Sequence, residues 1–190
     1  MVDCYPDHQW FEVAPGAERR VGFRVRLPWE CPITELGDRS TGANLSLITT
    51  LNTDGHSEVR DTDFLHVAAA PLHEAVLDAF LAEGYRCTDV EVHGETVPHA
   101  EQSRNFVQTW FLEDTTRGVT ALAQVEATIL NSQVGALVFV RRADRGRITW
   151  YDKPAALFFP VAHHELGDAD LGARLRAALA DLQTVDRLAG

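Results

Sequence analysis

The sequence predicts an α+β fold, a mostly antiparallel sheet packed on one central helix with a second helix near the C-terminus. Three observations carry that prediction. Segments with period-two alternation of apolar and polar residues follow one another in runs, where an α/β protein would interleave them with helices. The turns between the later ones are too short for crossover connections, so neighbours pair antiparallel. Just two segments carry an apolar stripe at helical spacing.

In chain order, residues 1–17 read as irregular, broken by Pro6, Pro15 and Gly16. Val21, Phe23, Val25 and Leu27 alternate with Arg24 and Arg26 as a half-buried strand would. Pro28 and Pro32 then stop regular structure, and 36–42 reads as a polar loop. From Ala43 to Leu51 the alternation returns, with Leu45, Leu47 and Leu51 on one side, and the turn-forming Asn52-Thr53-Asp54-Gly55 predicts a hairpin into 57–60. The first helix opens on Pro71, repeats Leu72, Ala75, Val76, Ala79 and Phe80, and stops before Gly84. Strands are predicted at 88–92, 106–113, 119–130, 134–141 and 155–161. Val119 to Ile129 place apolar residues on one face against Thr120, Gln124, Glu126 and Thr128 on the other. The last helix runs over 170–188, with Leu171, Leu175, Ala178, Leu179 and Leu182 as its stripe and Asp168 or Asp170 as cap.

The chain of 190 residues fits a single domain over 1–190. Its net charge of −11 argues against nucleic acid and anionic membranes as partners, because both present phosphates. No apolar run approaches the roughly 20 residues of a membrane helix, and the N-terminus lacks the make-up of a secretion signal. Cys4, Cys31 and Cys87 are odd in number and widely spaced, as expected of reduced thiols in the cytoplasm.

Glycine-rich phosphate loops, nucleophile elbows and zinc-protease motifs are absent, so no cofactor is expected. His56, His66, His73, His93, His99, His163 and His164 are scattered. Adjacent His163 and His164 on an extended segment would point to opposite faces, so no metal is expected. Arg24, Arg26, Gln124 and Glu126 read as an exposed polar sheet face, or as the lining of a groove.

The segment Asp61-Thr62-Asp63-Phe64-Leu65-His66-Val67, read as a tight acidic turn leading into the first helix, resembles the signature of hot-dog-fold thioesterases. The likeness extends over about 56–150, and the family's glycine before the histidine is missing here. It implies acyl-thioester hydrolysis or acyl-group handling in a homodimer. Asp63 would be the nucleophile or general base, beside His66 and with Glu74 as a second carboxylate one turn into the helix. Arg141 and Arg142 would supply positive charge for an acyl-thioester substrate. The order of elements is also similar to the PsbP/Mog1-like fold, which implies a non-enzymatic binding, chaperone or assembly module with a protein partner. Whether the chain is an enzyme stays open between the two.

Overall fold

The computed structural model describes residues 12–52, 58–98, 100–116, 122–146, 150, 153–168 and 170–189. Their elements, in chain order, are β1 (Glu35–Leu36), β2 (Arg39–Ser40), β3 (Leu45–Leu51), β4 (Val59–Leu65), α1 (Pro71–Ala82), β5 (Tyr85–His93), β6 (Val107–Asp114), β7 (Gln124–Asn131), β8 (Gly135–Arg142), β9 (Leu157–Ala162) and α2 (Leu171–Ala189). A single 3-10 turn, His163–Glu165, joins the last strand to the last helix. The α+β class with mostly antiparallel sheet is what the alternation predicts.

Strands β5 to β9 form a five-stranded antiparallel meander in sequence order. The connections 115–123 and 132–134 are too short for a crossover and dictate antiparallel pairing of β6, β7 and β8, whereas 94–106 and 143–156 are longer and leave the pairing of β5 and β9 to the packing. Helices α1 and α2 pack side by side on one face. Pro71 opens α1, and its apolar stripe Leu72, Val76, Leu77 and Phe80 is buried. Gly84, at φ +88°, turns the chain out, its amide bonding the carbonyl of Leu81 at 3.0 Å. Asp170 caps α2 by accepting the amide of Ala173 at 2.7 Å. The helices meet Trp110, Leu112, Val125, Ala127, Val138 and Val140 from the sheet. Each buried Leu or Val among them contributes about 1.5–3 kcal/mol by leaving water.

The second sheet face departs from expectation. It is covered, and Glu126 and Thr128 are buried at 1% and 2% exposure. Val97, Val107, Leu130, Phe139 and Trp150 form a second apolar cluster there. The polar face or groove read from the alternation is therefore an interior from Glu126 onward, with Gln124 exposed at its rim, and Arg24 and Arg26 lie elsewhere, exposed. A polar residue at period two marks a face but not what covers it.

Two further expectations change. Residues 21–27 enter no sheet, and Val21, Phe23 and Leu27 are exposed. Residues 61–63 are not a turn but the middle of β4, paired with Thr49, Ile48 and Leu47 of β3. Cys4, His56, His99, Val119 and Thr120 lie outside the described residues.

Both edges of the meander are blunted. On β9, Pro160 has no N–H, and its carbonyl accepts a bond from the Arg174 guanidinium at 2.8 Å. On β5 a bulge between Cys87 and Asp89 breaks the register.

Candidate functional site

The hairpin β3–β4 is a separate two-stranded sheet. Directly opposed residues share a face. One face carries Leu45 and Leu65, Leu47 and Asp63, Thr49 and Asp61, Leu51 and Val59. The other carries Ser46 and Phe64, Ile48 and Thr62, Thr50 and Arg60. Along its length, from Phe64 near the root to Leu51 and Val59 at the free end, the hairpin exposes Ile48 (44%), Leu51 (48%), Val59 (59%) and Phe64 (72%). Alternation and β-branched residues make the strands, but among the described residues no helix or second sheet covers them.

Its root is held. The amide of Thr34 donates to the carbonyl of Val67 at 2.8 Å, the amide of Val67 to the Thr34 hydroxyl at 2.9 Å, and the amide of Ala69 to the carbonyl of Glu35 at 3.1 Å. Ile33 is in turn gripped by the side-chain amide of Gln108 on β6. The Ile33 amide donates to Gln108 Oε1 at 3.0 Å, and Gln108 Nε2 donates to the Ile33 carbonyl at 2.8 Å. Thr41 closes the segment, its hydroxyl donating to the Ile33 carbonyl at 2.8 Å.

The residues singled out from the sequence are dispersed. Asp63 is exposed in mid-β4. His66 sits past its end, 76% exposed, with Nδ1 2.5 Å from Glu35 Oε1. Glu74 lies exposed in the first turn of α1. Arg141 and Arg142 end β8, Arg141 buried and Arg142 exposed. No acyl-sized tunnel joins them among the described residues. The apolar crevice between α1, α2 and β9, lined by Val76, Phe80, Phe159 and Leu175, closes too tightly to admit a water molecule.

Arg141 belongs to a charged cluster on the covered sheet face that sequence reasoning missed. Glu126 Oε2 accepts from Arg141 Nε and from Lys153 Nζ, both at 3.0 Å, and its Oε1 accepts the amide of Asp144 at 3.0 Å. Arg141 lies 3.8 Å over the Trp150 ring and donates to the Trp150 carbonyl at 3.3 Å. The Trp150 amide donates to Glu95 at 2.6 Å. Burial pushes the Arg141 guanidinium down, and Glu126 opposes that shift. Three donors on its two oxygens tie Glu126 to β8 and to the loop segments carrying Asp144 and Lys153, so the cluster pins those loops to the sheet. Only the repeated strand pattern was readable in 124–128; Arg141 comes from the paired strand β8 and the other partners from 144 to 153.

A second buried polar contact joins α1 to β7. Asn131 Nδ2 lies 2.9 Å from His73 Nδ1, and burial pushes the imidazole down to about 4. Among the described residues, no group of three or more His, Cys, Asp or Glu side chains is placed to hold a metal ion.

Comparison with known proteins replaces the resemblances read from the sequence. The Spo0M family, described as SpoOM protein, matches residues 6–146. The sporulation-control protein spo0M of Bacillus subtilis (strain 168) is 28% identical over 146 residues, which is 75% of this chain and 54% of that protein. The chain thus spans about half the length of this curated relative. The crystal structure of Spo0M from Bacillus subtilis superposes with a TM-score of 0.70 at 22% identity, over 83% of this chain and 65% of that one, and so shares the fold. These matches overturn the hot-dog thioesterase and PsbP/Mog1-like assignments. The acyl-thioester substrate and the homodimer came from the thioesterase likeness alone and go with it. The short motif misled because acidic pairs before a helix are common, and here they lie in a strand. The chain belongs to the Spo0M family.

Proposed function

We propose that the chain is a non-catalytic control module that engages a protein partner through the β3–β4 hairpin. One observation carries the reading. Both outer edges of the five-stranded sheet are blunted, whereas no further strand pairs with either outer edge of the hairpin among the described residues, and the hairpin displays Ile48, Leu51, Val59 and Phe64 to water. Open edges with apolar side chains invite strand pairing and are normally disarmed, so an edge left open has a use. The relative's name, a sporulation-control protein, supports a regulatory role. Asp63 and His66 then serve recognition, on and beside the hairpin, in place of acyl chemistry. No helix among the described residues is long and apolar enough to cross a membrane. Cys31 and Cys87, both unpaired, fit a reducing, cytoplasmic setting.

The test is selection of extended peptides from a random library against the purified chain, with rebinding to Ile48→Asp and Phe64→Asp variants of unchanged circular dichroism. Selected peptides should bind these variants at least tenfold more weakly. Equal binding to wild type and variants removes the hairpin from the role.

A further inference from the structure

We propose that the outer edge of β4 takes up an extended partner segment in which basic and apolar side chains alternate. The inference deepens the docking role above and rests on it.

The choice of β4 over β3 comes from its side chains. It holds the two most exposed apolar groups of the hairpin, Val59 and Phe64, and both of its mid-strand acids, Asp61 and Asp63. Asp61 and Asp63 are two apart and so share a face. The other charges nearby are already matched, Arg60 with Glu58 and His66 with Glu35. Asp61 accepts only the neighbouring amide of Thr62, at 3.0 Å, and neither carboxylate has a cation beside it among the described residues. A strand added along β4 places its own residues about 5 Å from these side chains. Two basic residues at i and i+2 would then sit beside Asp61 and Asp63. The side chain between or beyond them would point to the opposite face, where Phe64 stands open.

Main-chain bonds to the edge would supply affinity and the alternating side chains the selectivity, as in other cases of strand addition. The chain's net charge of −11 favours a basic segment at longer range. Acidic or uniformly apolar segments lack one half of the match. The chain's own Arg24-Val25-Arg26-Leu27 has the same alternation and is exposed except for the half-buried Val25, which makes a second copy the competing occupant.

The experiment uses the full chain and three nonapeptides: alternating valine and lysine, alternating valine and glutamate, and a scrambled valine–lysine sequence. Binding is read by calorimetry and amide hydrogen exchange. The alternating valine–lysine peptide should bind at least tenfold tighter than the other two and slow exchange along residues 59–65. Asp61→Lys with Asp63→Lys should reverse the preference towards the valine–glutamate peptide. Equal affinity for the three peptides, no binding of the valine–lysine peptide, or a preference that survives the charge reversal overturns the proposal. Self-association in sedimentation, lost on the same charge reversal and not displaced by peptide, also overturns it and assigns the edge to a second copy. If library-selected peptides still depend on Phe64 while the valine–lysine peptide does not bind, the partner chemistry fails and the docking role stands. If no ligand depends on Phe64, both fail.

Discussion

The Glu126 carboxylate shows how a single side chain can hold a layer together. It is shared by Arg141 and Lys153 and caps the Asp144 amide, all away from water. Removing it deprives two buried cations of the carboxylate they share and leaves Arg141 only the attraction of Glu95, which costs about 3–5 kcal/mol. Glu126→Leu should therefore lower the urea midpoint sharply. Adding Arg141→Met and Lys153→Met should recover most of the loss, because an apolar set of similar volume needs no desolvation of charge. His73 gives a second prediction, through pH. Its folded-state pKa of about 4 lies below the ordinary 6.5, so the unfolded chain takes up a proton first. The stability it lends is complete above pH 6.5 and drains away as pH falls towards 4, by roughly 3 kcal/mol in all. The Glu165 carboxyl, held down to about 2 chiefly by Arg174, loses its contribution only below its ordinary 4.5. Between pH 6.5 and 4.5 the His73→Leu variant should show a flatter stability curve than wild type in denaturant titrations. Neither role was legible beforehand. A lone glutamate in an alternating strand and a histidine on a helix become informative only once the covering loops and facing strand are placed.

Among the elements, those shaped by local rules were readable, and those shaped by their neighbours were not. Pro71 and Gly84 bracket α1 within two residues of where it ends, because a fixed φ and a left-handed exit are properties of the residues themselves. The antiparallel pairing of β6, β7 and β8 follows from turn lengths in the same way. Residues 21–27 have as clear an alternation as any strand in the chain, yet among the described residues no partner strand lies beside them. A strand needs a neighbour as well as a pattern, which the pattern cannot supply. At Gly135, opening β8, a side-chain carbon would fall 2.2 Å from the Val161 carbonyl oxygen and 2.7 Å from the Ala162 Cα of β9. Backbone atoms cannot swing aside as a side chain can. Gly135→Ala should therefore push the two strands apart at that end and cost about 1–3 kcal/mol, seen as a melting point lower by several degrees.

For the molecule as a whole, a sheet covered on both faces stands beside an uncovered hairpin. The junction between them is narrow. Gln108 offers its amide group to Ile33 as though it were one more peptide unit, and through Thr34, Val67 and Glu35 that grip reaches the base of β4. Gln108→Leu would strand the Ile33 amide in the core while leaving both sheets their own ladders. Exchange of amides 33–41 and 66–69 should quicken at least tenfold, with the strands β6 to β8 unchanged. The hairpin is thus mounted like an arm on a small bracket, with Gln108 as its polar bolt and Ile33, Leu36, Val67 and Ala69 seated in the core beside it. A pull or twist applied at its far end arrives at that bracket, and its bearing relative to the rest of the protein is set by how tightly the glutamine and the apolar seat together are drawn.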